Sequence, residues 1–131
     1  ALVLGTGGAA LAVVEALERA GAEATTASRR ARDWPPSEDG YDVLVNATPV
    51  KEELIVAPHE RLQVVDLAYL ADGRDTALVA GARRAGCEVV VDGLDVLLFQ
   101  GAAAFERWTG LPAPLIAMRD ALRGAPEARV S

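Results

Sequence analysis

The sequence predicts an α/β fold in which helices cover a doubly wound parallel sheet of about five strands. Short apolar runs alternate with longer stretches of helical period, which is the pattern of successive β-α-β units. The first apolar run passes directly into a glycine-rich segment, as strand-to-helix turns of this fold class do. The chain has 131 residues, 51% of them hydrophobic, which suffices for one core but not for two. We therefore predict one domain over 1–124 and a C-terminal tail over 125–131.

Five apolar runs are expected to form the strands. A parallel arrangement follows because helical stretches separate most successive runs, and a parallel crossover needs a long connection. The predicted strands cover 1–4, 23–28, 42–46, 64–67 and 88–92.

Four helices are expected, and the first two have clear end signals. The first runs from Gly8 to Ala20, and Gly21 suits the left-handed position that follows a helix. The second begins after Asp75, a good N-cap residue, and Gly86 stops it. The last two are expected over 95–109 and 114–122. The residues predicted to face inward are Ala10, Val13, Val14 and Leu17 on the first helix, Leu78, Val79 and Ala82 on the second, and Leu97, Leu98, Ala102, Phe105 and Trp108 on the third.

The segment 29–41 departs from a complete doubly wound fold, which has a helix and a further strand after its second strand. This stretch is too short for both, and Trp34-Pro35-Pro36 prevents a helix through its middle. We predict a loop here, with at most a short edge strand at 32–34, and therefore a missing or shortened edge strand and helix.

The glycine-rich segment indicates a Rossmann-like dinucleotide site. Gly5 permits a tight turn, Gly7 lets the backbone approach a pyrophosphate, and Ala10 is small enough for the helix to pack on the sheet. The N-terminus of the helix offers free N–H groups and a partial positive charge to phosphates. The alternative is a glycine turn that serves packing only.

The end of the second strand favours NADP over NAD. An NAD site has an Asp or Glu there for the ribose hydroxyl, whereas this chain has no carboxylate until Asp33. Ser28 can donate to a 2′-phosphate, and the guanidinium groups of Arg29 and Arg30 can bind it. The alternative is a solvated basic loop in an acidic protein.

Polar residues at the ends of the later strands have two interpretations each. Asn46 and Thr48 either contact the cofactor or close the turn before Pro49. Tyr69 either presents its hydroxyl to a substrate or is a half-buried structural residue. Gln100 lies within an apolar helix, where a ligand or a backbone carbonyl would satisfy its amide.

Composition excludes several functional classes. The net charge of −6, with no basic stripe, argues against nucleic acid. A single cysteine, Cys87, cannot form an internal disulfide, and a single histidine, His59, argues against a zinc cage, so no metal is predicted. The chain has no apolar run long enough to span a bilayer, and we expect no membrane association and a cytoplasmic location.

Taken in order, the motifs resemble the C-terminal cofactor-binding domain of shikimate dehydrogenases across nearly the whole chain. The resemblance implies NADPH-dependent reduction of 3-dehydroshikimate to shikimate in aromatic amino acid biosynthesis. The matching segments are Gly5-Thr6-Gly7-Gly8-Ala9, Ser28-Arg29, Asn46-Ala47-Thr48-Pro49, Asp66-Leu67-Ala68-Tyr69, Asp92-Gly93-Leu94 followed by Gln100, and Phe105-Glu106-Arg107-Trp108-Thr109-Gly110.

The same resemblance implies residue roles. The glycine segment corresponds to a pyrophosphate loop, and the backbones of Leu67 and Gly93 correspond to positions beside the nicotinamide. The chain departs from the family where Asp95 and Val96 replace a usual Gly-Met, and where Lys51 stands near a common Gly. Arg30 stands where the family often has Thr. From the residues and the resemblance together, the predicted cofactor contacts are Gly5, Thr6, Gly7, Gly8, Ala9, Ser28, Arg29, Arg30, Asn46, Thr48, Leu67 and Gly93, and the predicted substrate contacts are Tyr69 and Gln100.

No catalytic residue is assigned within this chain. In the family, the proton-transferring Lys and its Asp partner belong to an N-terminal substrate domain, and Lys51, the only lysine here, does not match that position. Because Ala1 enters a strand without an initiator Met, we expect a piece of a longer protein whose other domain shares the binding of shikimate or 3-dehydroshikimate. The alternative is a non-catalytic NADP-binding or regulatory module that retains the fold.

Overall fold

The computed structural model describes residues 1–124 and confirms the predicted parallel sheet; the predicted tail, 125–131, lies outside the described residues. Every strand pairing is parallel, in the order β2-β1-β3-β4-β5. The chain places β2 on one side of β1 and β3 on the other, so the strand order reverses at β1, where sheets of this class bind ligands. The strands are β1 (Leu2–Leu4), β2 (Thr25–Ala27), β3 (Val43–Asn46), β4 (Gln63–Asp66) and β5 (Val90–Val91).

The four predicted helices are present, with one correction to a cap. Thr76, and not Asp75, is the N-cap of the second helix, since its hydroxyl accepts the N–H of Val79 at 3.3 Å. Asp75 instead forms an ion pair with Arg83 at 3.3 Å. Gly86 ends this helix in the left-handed conformation, as predicted. The helices are α1 (Gly8–Arg19), α2 (Ala77–Ala85), α3 (Gly93–Thr109) and α4 (Leu115–Arg123).

Alternation along the strands creates two apolar faces, and a helix covers each. Val3 and Val45 are buried on one face against Ala10 of α1, whose methyl group is small enough for close packing. The predicted inward residues Val13, Val14 and Leu17 pack against the same cluster. On the opposite face, Leu2, Leu4, Leu44 and Val64 are buried against Leu78 and Ala82 of α2.

The segment 28–42 contains neither helix nor strand, which confirms the predicted loop and the loss of the usual crossover. The short edge strand allowed at 32–34 does not form, so β2 is the edge of the sheet. Trp34 and Tyr41 are partly buried against the cluster on the α2 face, and the Trp34-Pro35 peptide is cis.

The described chain comprises two compact units, Ala1–Asp92 and the segment that begins at Gly93. In the second unit, the Arg123 guanidinium on α4 binds the Asp95 carboxylate on α3 at 2.8 Å. Trp108 is 82% exposed, so its predicted inward orientation is wrong. The single domain over 1–124 stays a prediction.

No described helix within 1–124 has the length and apolar character that crossing a bilayer requires.

Replacement of Gly5 by alanine is expected to lower the free energy of unfolding by about 1–3 kcal/mol. Its φ of +112° disfavours any side chain, and an added Cβ would lie 3.1 Å from the Ala47 carbonyl oxygen. Gly8→Ala is the matched control, because a Cβ there meets no atom within 4 Å. Urea denaturation should show Gly8→Ala unchanged or slightly stabilised. Equal losses for both variants would contradict this account of the turn.

Candidate functional site

The predicted dinucleotide loop and the basic turn lie together at the carboxyl ends of β1 and β2. They line a groove of about 790 Å³ that is open to solvent. The lining residues are Gly5, Thr6, Gly7, Ser28, Arg29 and Arg30. Six of the predicted cofactor contacts therefore share one groove at the point where the strand order reverses.

Gly5 allows β1 to turn sharply between its two neighbouring strands. Its N–H donates to the Ala27 carbonyl of β2 at 2.9 Å, and a Cβ added to it would lie 3.1 Å from the carbonyl oxygen of Ala47, which follows β3. A side chain would fill that narrow space, so the close approach requires glycine. The turn thus places the start of α1 at the carboxyl ends of the strands.

The first turn of α1 presents backbone N–H groups to the groove. Gly7 is the N-cap residue and supplies no side-chain hydrogen bond, and the first turn holds no acidic side chain. Gly8 and Ala9 are exposed there. Uncapped N–H groups and the positive end of the helix dipole favour an anion such as a pyrophosphate.

The turn after β2 combines a hydroxyl group with two cations. The Ser28 hydroxyl oxygen accepts the backbone N–H of Arg30 at 3.2 Å, which leaves the hydroxyl proton for an external acceptor. Arg29 and Arg30 are exposed, and neither guanidinium group forms an ion pair within residues 1–124. This arrangement fits a phosphate on the ribose better than a ribose hydroxyl.

At the ends of β3 and β4, a buried carboxylate organises the loops. One oxygen of Asp66 accepts the side-chain N–H of Asn46 at 3.0 Å and the backbone N–H of Ala68 at 2.9 Å. The other accepts the Thr76 hydroxyl at 2.5 Å. Asp66 therefore links the ends of two strands to the N-cap of α2.

Burial governs the titration of this carboxyl group. Desolvation raises the pKa of Asp66 above its ordinary value, more than the hydrogen bonds from Thr76, Ala68 and Asn46 lower it. The negative charge of Asp92 contributes a smaller rise. Sequence reasoning included Asp66 in a motif without giving it this role. The signal was a carboxylate at the end of an apolar strand, which needs several partners when buried.

Internal hydrogen bonds occupy the side chains of Asn46 and Thr48, both of which are buried. The Asn46 amide donates to the Val50 carbonyl at 3.1 Å and to Asp66. Its oxygen accepts the backbone N–H of Thr48 at 3.0 Å and the Thr48 hydroxyl at 2.6 Å. All four hydrogen-bonding positions of the Asn46 side chain are thus used. The geometry favours the interpretation that Asn46 closes the turn, and a cofactor contact by either residue stays a prediction.

Tyr69 lies just beyond this network and is 40% exposed. The Lys51 ammonium nitrogen is 5.9 Å from the centroid of its ring, within the range of a weak cation–π contact. The backbone N–H of Leu67 donates to the Asn46 carbonyl at 3.0 Å, which fixes the chain leading to Tyr69. Tyr69 therefore follows a backbone-anchored segment at the carboxyl end of β4.

Two predicted contacts, Gly93 and Gln100, belong to the second unit. Gly93 is buried at the first position of α3. Gln100 is exposed on the same helix, so the expectation that it lies at a depth where its amide needs a partner is wrong. Exposure leaves the amide accessible to a ligand, and its substrate contact stays a prediction.

Comparisons with known proteins identify a consistent set of relatives. The family model for the shikimate 5'-dehydrogenase C-terminal domain matches residues 93–123. Shikimate dehydrogenase (NADP(+)) of Halobacterium salinarum is 40% identical, with 94% of this chain and 54% of that protein covered. The corresponding protein of Moorella thermoacetica is 35% identical, with 95% and 53% covered. The chain thus spans about half the length of the curated relatives it matches.

Solved structures agree with these relatives. Shikimate dehydrogenase from Aquifex aeolicus has a TM-score of 0.77 and 31% identity, covering 93% of this chain and 52% of that one. The Thermus thermophilus enzyme in complex with NADP(H) and shikimate has a TM-score of 0.75 and 34% identity, covering 93% and 53%. These likenesses confirm the Rossmann-like fold and the predicted resemblance.

The sequence alignment also bears on the missing crossover. It extends over 147 positions with the Halobacterium salinarum protein, against 131 residues in this chain, so that protein carries at least 16 residues without a counterpart here. The segment after β2, which is shorter than in a complete doubly wound fold, likewise makes this chain the shorter one.

Thr76→Val is expected to lower the free energy of unfolding by about 2–4 kcal/mol, because it removes a donor to a buried carboxylate and the cap of α2. Thr76→Ser retains the hydroxyl and should lose less than about 1 kcal/mol. Urea denaturation of both variants checks this. Equal losses in the two variants would contradict this account, because the methyl group would then contribute as much to the junction as the hydroxyl.

The pH dependence of stability tests the raised pKa of Asp66. Above the ordinary value of 3.8, the folded state binds more protons at this site than the unfolded state, so its contribution to the free energy of unfolding falls as the pH rises. Asp66→Asn removes that dependence. Urea denaturation from low to neutral pH should therefore show the variant gaining stability relative to the unmodified chain. A constant difference would contradict the assignment.

Proposed function

We propose that this chain is the NADP(H)-binding domain of a shikimate dehydrogenase-like oxidoreductase, which uses NADPH to reduce 3-dehydroshikimate to shikimate. The observation that carries this proposal is the groove at the switch point. It joins a glycine turn, an uncapped helix N-terminus and the turn Ser28-Arg29-Arg30. The relatives named above as NADP(+) enzymes support the same choice of cofactor.

The residues of the groove fit both the pyrophosphate and the 2′-phosphate of NADP(H). The backbone from Gly5 to Ala9, at the start of α1, would bind the pyrophosphate through N–H groups. Ser28 would donate its hydroxyl proton to the 2′-phosphate, and Arg29 and Arg30 would neutralise its charge. Among the described residues that line the groove there is no carboxylate to repel this phosphate.

When bound, the cofactor supplies a hydride to the substrate ketone. This chain would orient the nicotinamide with the backbones of Leu67 and Gly93. Tyr69 and Gln100 would each offer a polar group to shikimate or 3-dehydroshikimate. Fixed orientation of the reacting groups can contribute roughly 7–11 kcal/mol to lowering a barrier, provided that both reactants are held.

We assign proton transfer to no residue of this chain. Reduction of a ketone to an alcohol needs a general acid, and we propose that a further domain supplies it together with most substrate contacts. The half-length coverage of the relatives is consistent with such a domain. Lys51 contacts the Tyr69 ring and lies beyond the cofactor motif, so it is not the proposed acid. A cytoplasmic location stays part of this proposal.

A second candidate is a non-catalytic NADP-binding or regulatory module. The observation that favours it is the shortened segment after β2, which alters the adenosine side of the groove. The reading frame upstream of Ala1 discriminates between the two. A domain with a suitably placed Lys and Asp supports the enzyme, and an unrelated domain supports the module.

Arg29→Ala is expected to weaken NADPH binding by roughly 10- to 150-fold, because a hydrogen bond to a charged group is worth about 1.5–3 kcal/mol. NADH binding should change little. Ser28→Ala should weaken NADPH binding less, since a neutral donor contributes about 0.5–1.5 kcal/mol. Calorimetry with both cofactors measures the difference. Equal affinities of the unmodified chain for NADPH and NADH would overturn the choice of NADP.

The chain alone, given NADP and shikimate, should bind the cofactor without turnover above background. A general acid/base is worth about 10² to 10⁴ in rate, and the positioning of the substrate is also lost. Absorbance of NADPH at saturating shikimate measures this, with the chain joined to an N-terminal substrate domain as the comparison. Turnover by the isolated chain that Tyr69→Phe or Gln100→Ala abolishes would show that the active site is complete within it.

A further inference from the structure

A second pocket, lined by none of the groove residues, lies between the loops that follow β3 and β4. Its volume is about 460 Å³, and it is open to solvent. Lys51, the only lysine of the chain, contributes its positive charge. We call this space the Lys51 pocket. Its other lining residues are Pro49, Val50, Glu52, Glu53 and Leu70.

Hydrogen bonds hold the backbone of Lys51 in place on both sides. The N–H of Val50 donates to the Thr48 hydroxyl oxygen at 3.2 Å. The carbonyl of Val50 accepts the side-chain amide of Asn46 at 3.1 Å. The carbonyl of Lys51 accepts the N–H of Ala77, the first residue of α2, at 2.8 Å. The Lys51 side chain therefore begins at a fixed point of the loop.

The ammonium group of Lys51 is available to a ligand. Its nitrogen lies 5.9 Å from the centroid of the Tyr69 ring, and it forms no ion pair or hydrogen bond with another residue of 1–124. All three of its N–H donors are thus left to solvent or to a ligand. Because the Tyr69 hydroxyl belongs to the same ring, one small ligand can contact both side chains.

We propose that the Lys51 ammonium group binds the carboxylate of the substrate and makes this domain prefer an acid to its uncharged analogues. This inference rests on the proposed function, in which Tyr69 contacts shikimate or 3-dehydroshikimate, and both compounds are carboxylates. The Tyr69 hydroxyl is neutral and can donate to an acid or to an ester. A cation gains a charge-assisted hydrogen bond only from the acid, so Lys51 would supply the discrimination that Tyr69 lacks.

The resemblance to the family does not imply this charge. Lys51 stands near a position where a Gly is common, so the proposed role belongs to a residue in which this chain departs from the pattern. A glycine offers no side chain to a ligand. Lys51 would therefore be a specificity-determining residue that the glycine of the pattern could not replace.

Neighbouring carboxylates restrict the proposed effect to direct contact. Glu52 and Glu53 line the same pocket, and at long range their two negative charges outweigh the charge of Lys51. Coulombic attraction falls with distance, so an ammonium group that touches the ligand outweighs repulsion from carboxylates that lie farther away. Lys51 would therefore strengthen the bound complex and would not draw acids to the pocket from a distance.

The single lysine provides a direct probe. Isotopic labelling of lysine gives one lysine side-chain signal in the NMR spectrum of this chain. The labelled chain is saturated with NADP and titrated with shikimate or with methyl shikimate, its uncharged ester. Shikimate should shift the Lys51 signal in a saturable manner. Methyl shikimate should shift it little, because an ester carries no charge for the ammonium group to bind.

Variants test whether the charge sets the affinity, which the backbone amide signal of Tyr69 reports in each of them. Lys51→Gln should weaken shikimate binding roughly 3- to 10-fold, between the values for an exposed ion pair and for a hydrogen bond to a charged group. Binding of methyl shikimate should not change. Lys51→Arg retains the charge and should retain the preference for the acid.

Arg84→Gln is the matched control. It removes the same charge from an exposed residue in the last turn of α2, whereas Lys51 contacts the first turn. This variant should bind shikimate as the unmodified chain does. A loss equal to that of Lys51→Gln would show that net charge, and not contact with Lys51, governs binding, and would overturn the inference.

The remaining outcomes separate this inference from the proposed function. Equal affinities of the unmodified chain for shikimate and methyl shikimate overturn the role of Lys51 and leave NADP binding intact. A Lys51 signal that no concentration of shikimate shifts does the same, as does unchanged shikimate affinity in Lys51→Gln. Failure of the unmodified chain to bind NADP overturns the proposed function, and the role of Lys51 with it.

Discussion

The loops at the carboxyl ends of β3 and β4 depend on one buried carboxylate, that of Asp66. It accepts hydrogen bonds from a side chain at the end of β3, from its own loop and from the N-cap of α2. Removing a carboxylate from water is unfavourable, and only such directed donors make it tolerable. Within residues 1–124, no buried side-chain nitrogen or oxygen lacks a partner. The loops that carry Thr48 and Tyr69 are therefore fixed by the same group.

This network shows that the polar groups at the carboxyl ends of the strands have two different roles. At β3 and β4, polar side chains satisfy each other and shape the loops, as the full use of Asn46 shows. At β1 and β2, backbone N–H groups, Ser28 and Arg29 remain open to the groove. A polar residue at a strand end can therefore either shape a loop or remain open to a ligand. Whether its hydrogen-bond partners are buried within the protein distinguishes the two roles.

Sequence reasoning predicted the five strands, the parallel order of units and the glycine turn, because each depends on local pattern. The Gly5 turn has a backbone requirement that no other residue meets easily. The sequence pattern predicted Asp75 as the N-cap of α2. Thr is equally suited to that position, and the contact that favours Thr76 is with Asp66, which is distant along the chain. The exposed Trp108 was likewise missed because helical period does not reveal whether anything covers a face. The cofactor contacts of the groove residues remain predictions, because a residue pattern indicates which groups are available and does not show which ligand they bind.

Loss of the crossover after β2 is compatible with an intact phosphate groove because of the order of residues along the chain. Every group that lines the groove belongs to the segment from β1 to the turn at Arg30, which precedes the shortened stretch. The shortening instead leaves β2 as an edge strand of three residues, paired only with β1. Trp34 and Tyr41 pack their rings against the apolar cluster on the α2 face, next to this edge strand. Backbone hydrogen bonds from Ala31 to the Ser28 carbonyl at 3.0 Å and from Trp34 to the Ala31 carbonyl at 3.3 Å join this packed loop to the turn, so the loop helps to hold the turn that carries Ser28 and Arg29 in place.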